Sequence, residues 1–273
     1  MHHILNRSKV LLLVLVTMLP GCSNFGFSFV FEHLDFFARW KLGNMLDLSE
    51  QQKQQVSSAA LEIRDWLRKE DFPGLIEDLQ TVRSRWDQGE GHLAIRSLRE
   101  TLSRRQGQFM QFSWPLLQPL LLTLTAENAE AFEVFAKEQE GDWFEFTESE
   151  AAKDEWRIEK LEQWFGDLSD VQIEMVKQHT TLMPDEQSIR IQNSRQWRAR
   201  LMQFALDDNV AELKRWSQDF SVWWTPEYKQ LRNDNNAALD ELLIVLLPTL
   251  TVSQREHASS EMQDWIERLG DVL

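Results

Sequence analysis

A five-residue pattern of the form Leu-Ser/Thr-x-x-Gln/Asn occurs four times in this 273-residue chain, at 48–52, 124–128, 168–172 and 250–254. In each copy the hydroxyl can accept a hydrogen bond from a free backbone N–H in the first turn of a helix. The amide three residues later can bond back to the backbone N–H of the capping residue. The pattern therefore predicts four helix starts and favours an α-helical fold for most of the chain.

The sequence between the four copies also favours helices. After Ser49, apolar residues recur in steps of three and four, which places them along one helix face: Val56, Ala59, Ala60, Ile63, Trp66 and Leu67. No hairpin dipeptide flanked by alternating apolar residues occurs. The predicted fold class is all-α, a bundle of about ten helices joined by short connections.

The spacing of the four copies indicates a tandem duplication. The first and third copies start 120 residues apart, and the second and fourth start 126 residues apart. An apolar run that contains a proline precedes the second copy, at 116–123, and a similar run precedes the fourth, at 242–249. We predict two similar helical units, 48–167 and 168–273. A single interleaved domain is equally compatible with this spacing.

The first 21 residues have the features of an export signal. Arg7 and Lys9 precede an apolar run of ten residues, 10–19, whereas a membrane-spanning helix needs roughly 20 residues. The sequence LPGC at 19–22 follows and resembles a bacterial lipobox. That resemblance implies cleavage before Cys22, a diacylglyceryl group and palmitate on this residue, and a lipid-anchored segment with a first helix at 22–47. The alternative is an incidental cysteine behind an ordinary leader.

Composition restricts the possible partners. Cys22 is the only cysteine, so no disulfide within the chain is possible. Removal of the leader leaves 27 basic and 44 acidic residues, a formal charge of −17, which opposes binding to nucleic acid. Ser23 stands where an inner-membrane lipoprotein would have aspartate, so the lipobox resemblance implies the outer membrane. The predicted partners are the membrane, through the lipid, and an envelope protein or an unfolded client.

Aromatic residues alternate directly after the predicted lipidation site, as Phe25, Phe27, Phe29 and Phe31. In an extended segment this alternation would place all four rings on one side. The rings would then either contact the lipid interface or pack on the protein. Packing is the preferred interpretation.

Arginine is clustered in both predicted units, and five residues are candidates for binding a partner. Arg96 and Arg99 lie in the first unit, and Arg195 and Arg198 flank Trp197 in the second. Arginines three residues apart share a helix face and can bind carboxylate or phosphate groups. The preferred alternative is pairing with the many acidic residues of the same chain, and packing of the tryptophan between helices.

Motifs for catalysis are absent from the sequence. The four histidines after the leader, at 33, 92, 179 and 257, have no metal-binding spacing. The sequence contains neither a glycine-rich phosphate loop nor a Gly-x-Ser-x-Gly turn. We therefore predict that the protein is not an enzyme and that it uses no metal or other cofactor.

Two family resemblances follow from these motifs. The Leu-Thr-x-x-Gln copies in an exported helical chain resemble the periplasmic Spy and CpxP family of stress-induced proteins. Over more of its length the chain is similar to an uncharacterised family of Gram-negative helical lipoproteins, which share the lipobox and an aromatic stretch like that at 34–40. We predict a binding or scaffolding protein on the periplasmic face of the outer membrane, and the resemblance to Spy and CpxP implies a chaperone-like activity for it. A specific assembly factor or, less favoured, a cell-wall hydrolase is the alternative.

Overall fold

A computed structural model describes residues 24–147, 150–180 and 187–273, and in these ranges it consists of helices joined by short connections, with no strand. This confirms the all-α prediction. The described α-helices are α1 Asn24–Glu32, α2 Leu34–Leu46, α3 Glu50–Trp66, α4 Phe72–Asp87, α5 Gly91–Leu121, α6 Ala126–Thr147, α7 Glu150–Phe165, α8 Asp170–Thr180, α9 Gln187–Leu206, α10 Val210–Gln218, α11 Pro226–Leu246 and α12 Val252–Gly270. A π-helical turn, Leu67–Asp71, joins α3 to α4, and 3₁₀ turns, Phe220–Trp223 and Leu247–Thr249, flank α11.

Each of the four repeated segments begins a helix, as predicted. Ser49 Oγ accepts a bond from the backbone N of Gln52 at 3.3 Å, and Gln52 Oε1 accepts one from the backbone N of Ser49 at 2.9 Å. The corresponding bonds at the starts of α6, α8 and α12 measure 2.9–3.4 Å. The motif is therefore a reciprocal helix cap in all four places.

The leucine of each copy is buried, and the four leucines divide between two apolar cores. Core A surrounds Leu48 and Leu124, and core B surrounds Leu168 and Leu250. A third cluster, core C, lies beneath α1 and contains Phe27, Phe31 and Phe109. The copies are thus paired in space as first with second and third with fourth.

The stretches 48–167 and 168–273 share their cores. Core A includes Leu201 and Leu213 from the second stretch, and core B includes Val82 and Trp86 from the first. Helix α4 packs against α12, and α9 packs against α6. Helices of each stretch therefore pack with those of the other, α4 and α9 among them, so the two helix sets are interleaved.

The segment after the predicted lipidation site is helical, so the prediction of an extended segment is wrong. Phe27 and Phe31 are four residues apart on α1 and lie buried on one helix face. Phe29 is directed away from them and is exposed, whereas the side chain of Phe25 lies outside the described residues. The preferred interpretation, packing on the protein, therefore holds for Phe27 and Phe31 but not for Phe29.

Candidate functional site

A groove of about 520 Å³ lies on the surface beside the π-helical turn. Pro73 lies in the first turn of α4, where its ring would clash with a carbonyl of the preceding turn in a continuous α-helix. A π-turn is one way to accommodate such a disturbance, and π-turns are frequent at functional sites. The groove is lined by Trp66, Glu70, Asp71, Gly74, Arg104, Arg105, Gln108, Gln111 and Phe112.

An aromatic pair forms one wall of the groove. The rings of Trp66 and Phe112 stack with centroids 4.8 Å apart and an interplanar angle of 11°. Both side chains are half-buried, and both pack against core C. This packing gives the groove a fixed apolar wall.

Arg105 forms the polar floor of the groove. Its guanidinium donates two bonds to Asp71, to the backbone oxygen at 2.9 Å and to Oδ1 at 2.8 Å. It donates two further bonds to Asp78 Oδ2, at 3.1 Å from Nε and 2.6 Å from Nη2. Burial raises the pKa of the Asp71 carboxyl above its ordinary value, although the bond and charge of Arg105 oppose that rise. All four bonds join Arg105 to other parts of the chain, so its guanidinium has a structural role.

Gly74 allows this floor to form. A Cβ atom at position 74 would lie 3.0 Å from Arg105 Nη2, closer than an ordinary contact. The absence of a side chain therefore lets the guanidinium lie against α4.

The groups that remain available to a ligand surround the aromatic wall. Glu70, Gln108 and Gln111 are exposed, and so is Arg104, which donates to Asp78 Oδ2 at 2.7 Å. The two amides can both donate and accept hydrogen bonds, and the carboxylate can accept them or pair with a cation. The groove thus combines an apolar surface with hydrogen-bonding groups suited to a peptide backbone.

Sequence reasoning missed most of this groove. The sequence places Trp66 on an apolar helix face and Arg104 and Arg105 among the arginines of the first unit, but Glu70 and Phe112 belong to no motif. A proline seven residues after a tryptophan in an otherwise helical stretch was the only available signal. It marks a helix disturbance, but it does not reveal which residues of α5 lie opposite.

The predicted residues of the second unit are engaged within the protein. Arg198 is buried and donates from Nη2 to Glu140 Oε1 at 2.7 Å, and Arg195 donates to the other oxygen of that carboxylate at 2.8 and 3.0 Å. Burial raises the pKa of Glu140, but the two arginines outweigh that effect and hold it below its ordinary value. Trp197 packs against core A and stacks on Trp216 at 6.1 Å.

The predicted residues of the first unit lie elsewhere, on α5. Arg99 is paired with Asp240 of α11. Arg96 is exposed and lines, with Arg99 and Asp240, a small cavity of about 120 Å³. The structure therefore divides the five candidates between the α6–α9 and α5–α11 contacts. Partner binding by them stays a prediction, with Arg96 and Arg195 the most accessible side chains.

Comparison with protein families covers the groove and most of the fold. The model of a family of unknown function, DUF6279, matches residues 44–244. The chain belongs to this family. The DUF6279 match contains three of the four repeated caps and every residue that lines the groove. No curated protein and no solved structure matches the chain.

The N-terminal predictions fall largely outside the structure. Cys22 and the leader, 1–21, precede the first described residue, Asn24. Among the described helices, none is both long and apolar enough to cross a membrane. The described residues also contain no group of three His, Cys, Asp or Glu side chains placed to hold a metal ion.

Proposed function

We propose that this protein is a lipid-anchored, helical binding protein of the bacterial envelope that holds a segment of a partner protein in the groove beside the π-helical turn. Cys22 carries the lipid, and the helical body faces the periplasm from the outer membrane. The groove is the observation that carries the proposal, because it is an aromatic wall bordered by amide and carboxylate groups on a fixed floor.

A polypeptide segment is the ligand that suits these groups best. An apolar side chain can lie on the Trp66–Phe112 wall, and the amides of Gln108 and Gln111 can bond to peptide N–H and C=O groups. Glu70 favours a basic residue in the bound segment. The acidic composition of the chain opposes nucleic acid as a ligand.

The rigidity of the groove bears on the choice between a general chaperone and a factor for one complex. Four hydrogen bonds fix Arg105, and the wall residues are anchored in core C. A preformed site loses less conformational entropy when it binds a segment of matching shape. This favours one defined envelope partner, whereas the resemblance to Spy and CpxP favours many unfolded clients.

Crosslinking in cells tests the groove. A photoreactive amino acid replacing Gln108 or Gln111 is expected to capture a protein, whereas one replacing the exposed Lys229 of α11 is not. Glu70→Lys is expected to abolish the groove adduct, while the matched exposed change Glu241→Lys leaves it intact. Equal adducts from positions 108 and 229 would contradict the proposal. One discrete adduct indicates an assembly factor, and many adducts indicate a chaperone.

Metabolic labelling tests the anchor. Wild type is expected to incorporate radioactive palmitate and to fractionate with the outer membrane. Cys22→Ser is expected to lose the label and to accumulate with its leader uncleaved. Normal maturation of this variant would show that Cys22 is not the lipid attachment site.

A further inference from the structure

Three of the four large aromatic side chains that are exposed in the described residues lie within 12 positions of one another, near the N-terminus. Phe29, Phe36 and Trp40 are 47%, 60% and 51% exposed, and the fourth, Trp164, lies on α7. The rings of Phe29 and Phe36 are linked through Phe37, whose centroid is 6.2 Å from that of Phe29 and 5.3 Å from that of Phe36. We call Phe29, Phe36, Phe37 and Trp40 the aromatic stripe.

The stripe spans the junction between α1 and α2. Phe36 and Trp40 are four residues apart on α2, a spacing that keeps side chains on one helix face. His33 interrupts the helix at the junction, with φ −107° and ψ 32°. The bond from His33 N to Phe29 O, at 3.2 Å, is the last of α1, and the bond from Phe37 N to His33 O, at 3.1 Å, is the first of α2. The ring contact between Phe29 and Phe37 crosses this junction, so the stripe extends over both helices.

The opposite side of the same helices is fixed to the protein. Phe27, Phe31 and Leu34 are buried in core C, and the ring of Phe27 meets Trp265 of α12 edge-on at 6.4 Å. Any surface that contacts the stripe therefore orients the helical body as well.

We infer that the aromatic stripe lies in the interfacial region of the lipid bilayer and fixes the orientation of the helical body on the membrane. The inference rests on the proposed anchor at Cys22. Cys22 lies only two positions before Asn24, the start of α1, a reach of roughly 7 Å in an extended chain. The lipid therefore holds α1 beside the headgroups.

Side-chain type and charge both favour a lipid surface. Tryptophan is enriched at membrane interfaces, and phenylalanine is typical of the apolar face of helices that lie in them. Residues 24–46 contain two acidic and two basic side chains, so the excess of 17 negative charges lies entirely in the remaining body. The stripe thus lies on a segment without net charge, which anionic lipid does not repel.

The test uses the full lipidated chain, reconstituted in vesicles of phosphatidylethanolamine and phosphatidylglycerol. Because lipid blocks Cys22, Phe36→Cys provides a single free thiol for a fluorophore, and Val171→Cys on α8, 65% exposed in the wild type, provides the control. Nitroxide-bearing lipid is expected to quench the label at 36 several-fold more than the label at 171. Equal quenching at both positions would overturn the inference and leave a partner protein as the occupant.

A second variant separates the stripe from the tether. Phe29→Ser with Trp40→Ser is expected to reduce quenching at position 36 to the level at 171, with an unchanged circular dichroism spectrum. Undiminished quenching would show that the lipid alone places α2 at the membrane, which overturns the inference. Palmitate labelling of the same samples reports the anchor, so a chain without lipid overturns the proposed anchor and the inference together. A lipidated chain with equal quenching overturns the inference alone.

Discussion

The two pairs of helix caps use the same geometry with different side chains. In the first pair, Gln52 Nε2 donates to the backbone oxygen of Thr123 at 2.7 Å and to Asn128 Oδ1 at 3.0 Å. In the second pair, Gln172 Nε2 donates to the backbone oxygen of Thr249 at 3.2 Å and to Gln254 Oε1 at 3.0 Å. Each cap amide therefore also bonds to the segment just before its partner cap.

The difference lies in the second member of each pair. Asn128 donates to the backbone oxygens of Leu46 and Asp47, at 2.8 and 3.1 Å, whereas Gln254 donates to the oxygen of Asp167 at 2.8 Å and to Gln172 Oε1 at 2.9 Å. Asn128 reaches the backbone without an amide donation back to Gln52 among the described bonds. Bonding to the segment before the partner cap is thus the common requirement, and the length of the amide side chain is variable.

The contacts between the two helix sets, α6–α9 and α4–α12, show a second contrast. The α6–α9 contact contains the buried pair Arg198–Glu140, whereas the α4–α12 contact uses Arg83, which donates to the uncharged Ser259 and Gln263. Charged and neutral partners therefore serve similar places in the two helix sets.

Breaking the charged contact is expected to have the largest effect. Arg198→Met removes one partner of a buried ion pair and should lower the free energy of unfolding by about 3 kcal/mol. The matched change Arg83→Met, on the neutral contact, should lower it by about 1 kcal/mol. Urea denaturation followed by circular dichroism measures both, and similar losses in the two variants would contradict the assigned difference.

Breaking the second amide pair is expected to have the next largest effect. Gln172→Ala removes the reach-back bond to Ser169 and the bonds to Thr249 and Gln254, which should cost about 2 to 3 kcal/mol of unfolding free energy. Gln178→Ala, at an exposed site on the same helix, should change stability by less than about 0.5 kcal/mol. Equal effects would show that the buried network contributes little.

Shortening one amide sharpens the comparison of the two pairs. Gln254→Asn gives the second pair the side chain of the first and should lose the bond to Asp167, at a cost of about 1 kcal/mol. A double-mutant cycle with Gln172→Ala isolates the coupling between the two amides. An unchanged stability would mean that the start of α12 moves close enough for the shorter amide to reach the backbone, as Asn128 does at the start of α6.

Acid titration is expected to give the smallest effect. The pKa of Glu140 is lowered in the folded state, so its stabilising contribution is present above the ordinary value of 4.5 and is lost as the pH falls through the lower folded value. Glu140→Gln should therefore lose part of the pH dependence in that acidic range. Denaturation midpoints at a series of acidic pH values measure the effect, and parallel curves for wild type and variant would contradict it.

The features that the sequence predicted correctly depend on local interactions. The caps join residues three apart, so Ser49 with Gln52 and Thr251 with Gln254 are recognisable from spacing alone. The alternation of phenylalanines over seven residues predicts an extended segment, and this prediction is wrong. The segment is a helix in which Phe27 packs against Trp265 and Phe31 packs against Phe72. Tertiary packing outweighed the local pattern there.

The candidate site was less predictable for the same reason. Arg105 is fixed by Asp71 and Asp78, which lie 34 and 27 residues away in the sequence. Nothing in the spacing of the arginines separates Arg105, in the groove, from Arg99, at the α5–α11 contact. The arrangement of α3, α4 and α5 around the π-turn decides that difference.

The sequence by itself determined the helical class, the four helix starts and the duplicated order of the caps, because each depends on contacts within one or two turns. Only the tertiary structure decided that Gln52 meets Asn128, 76 residues away, and that α4 and α9 pack against helices of the other set. Those contacts depend on which apolar faces pack together. Many helix pairings can bury similar apolar areas, so the choice among them is made by the packing of the whole chain.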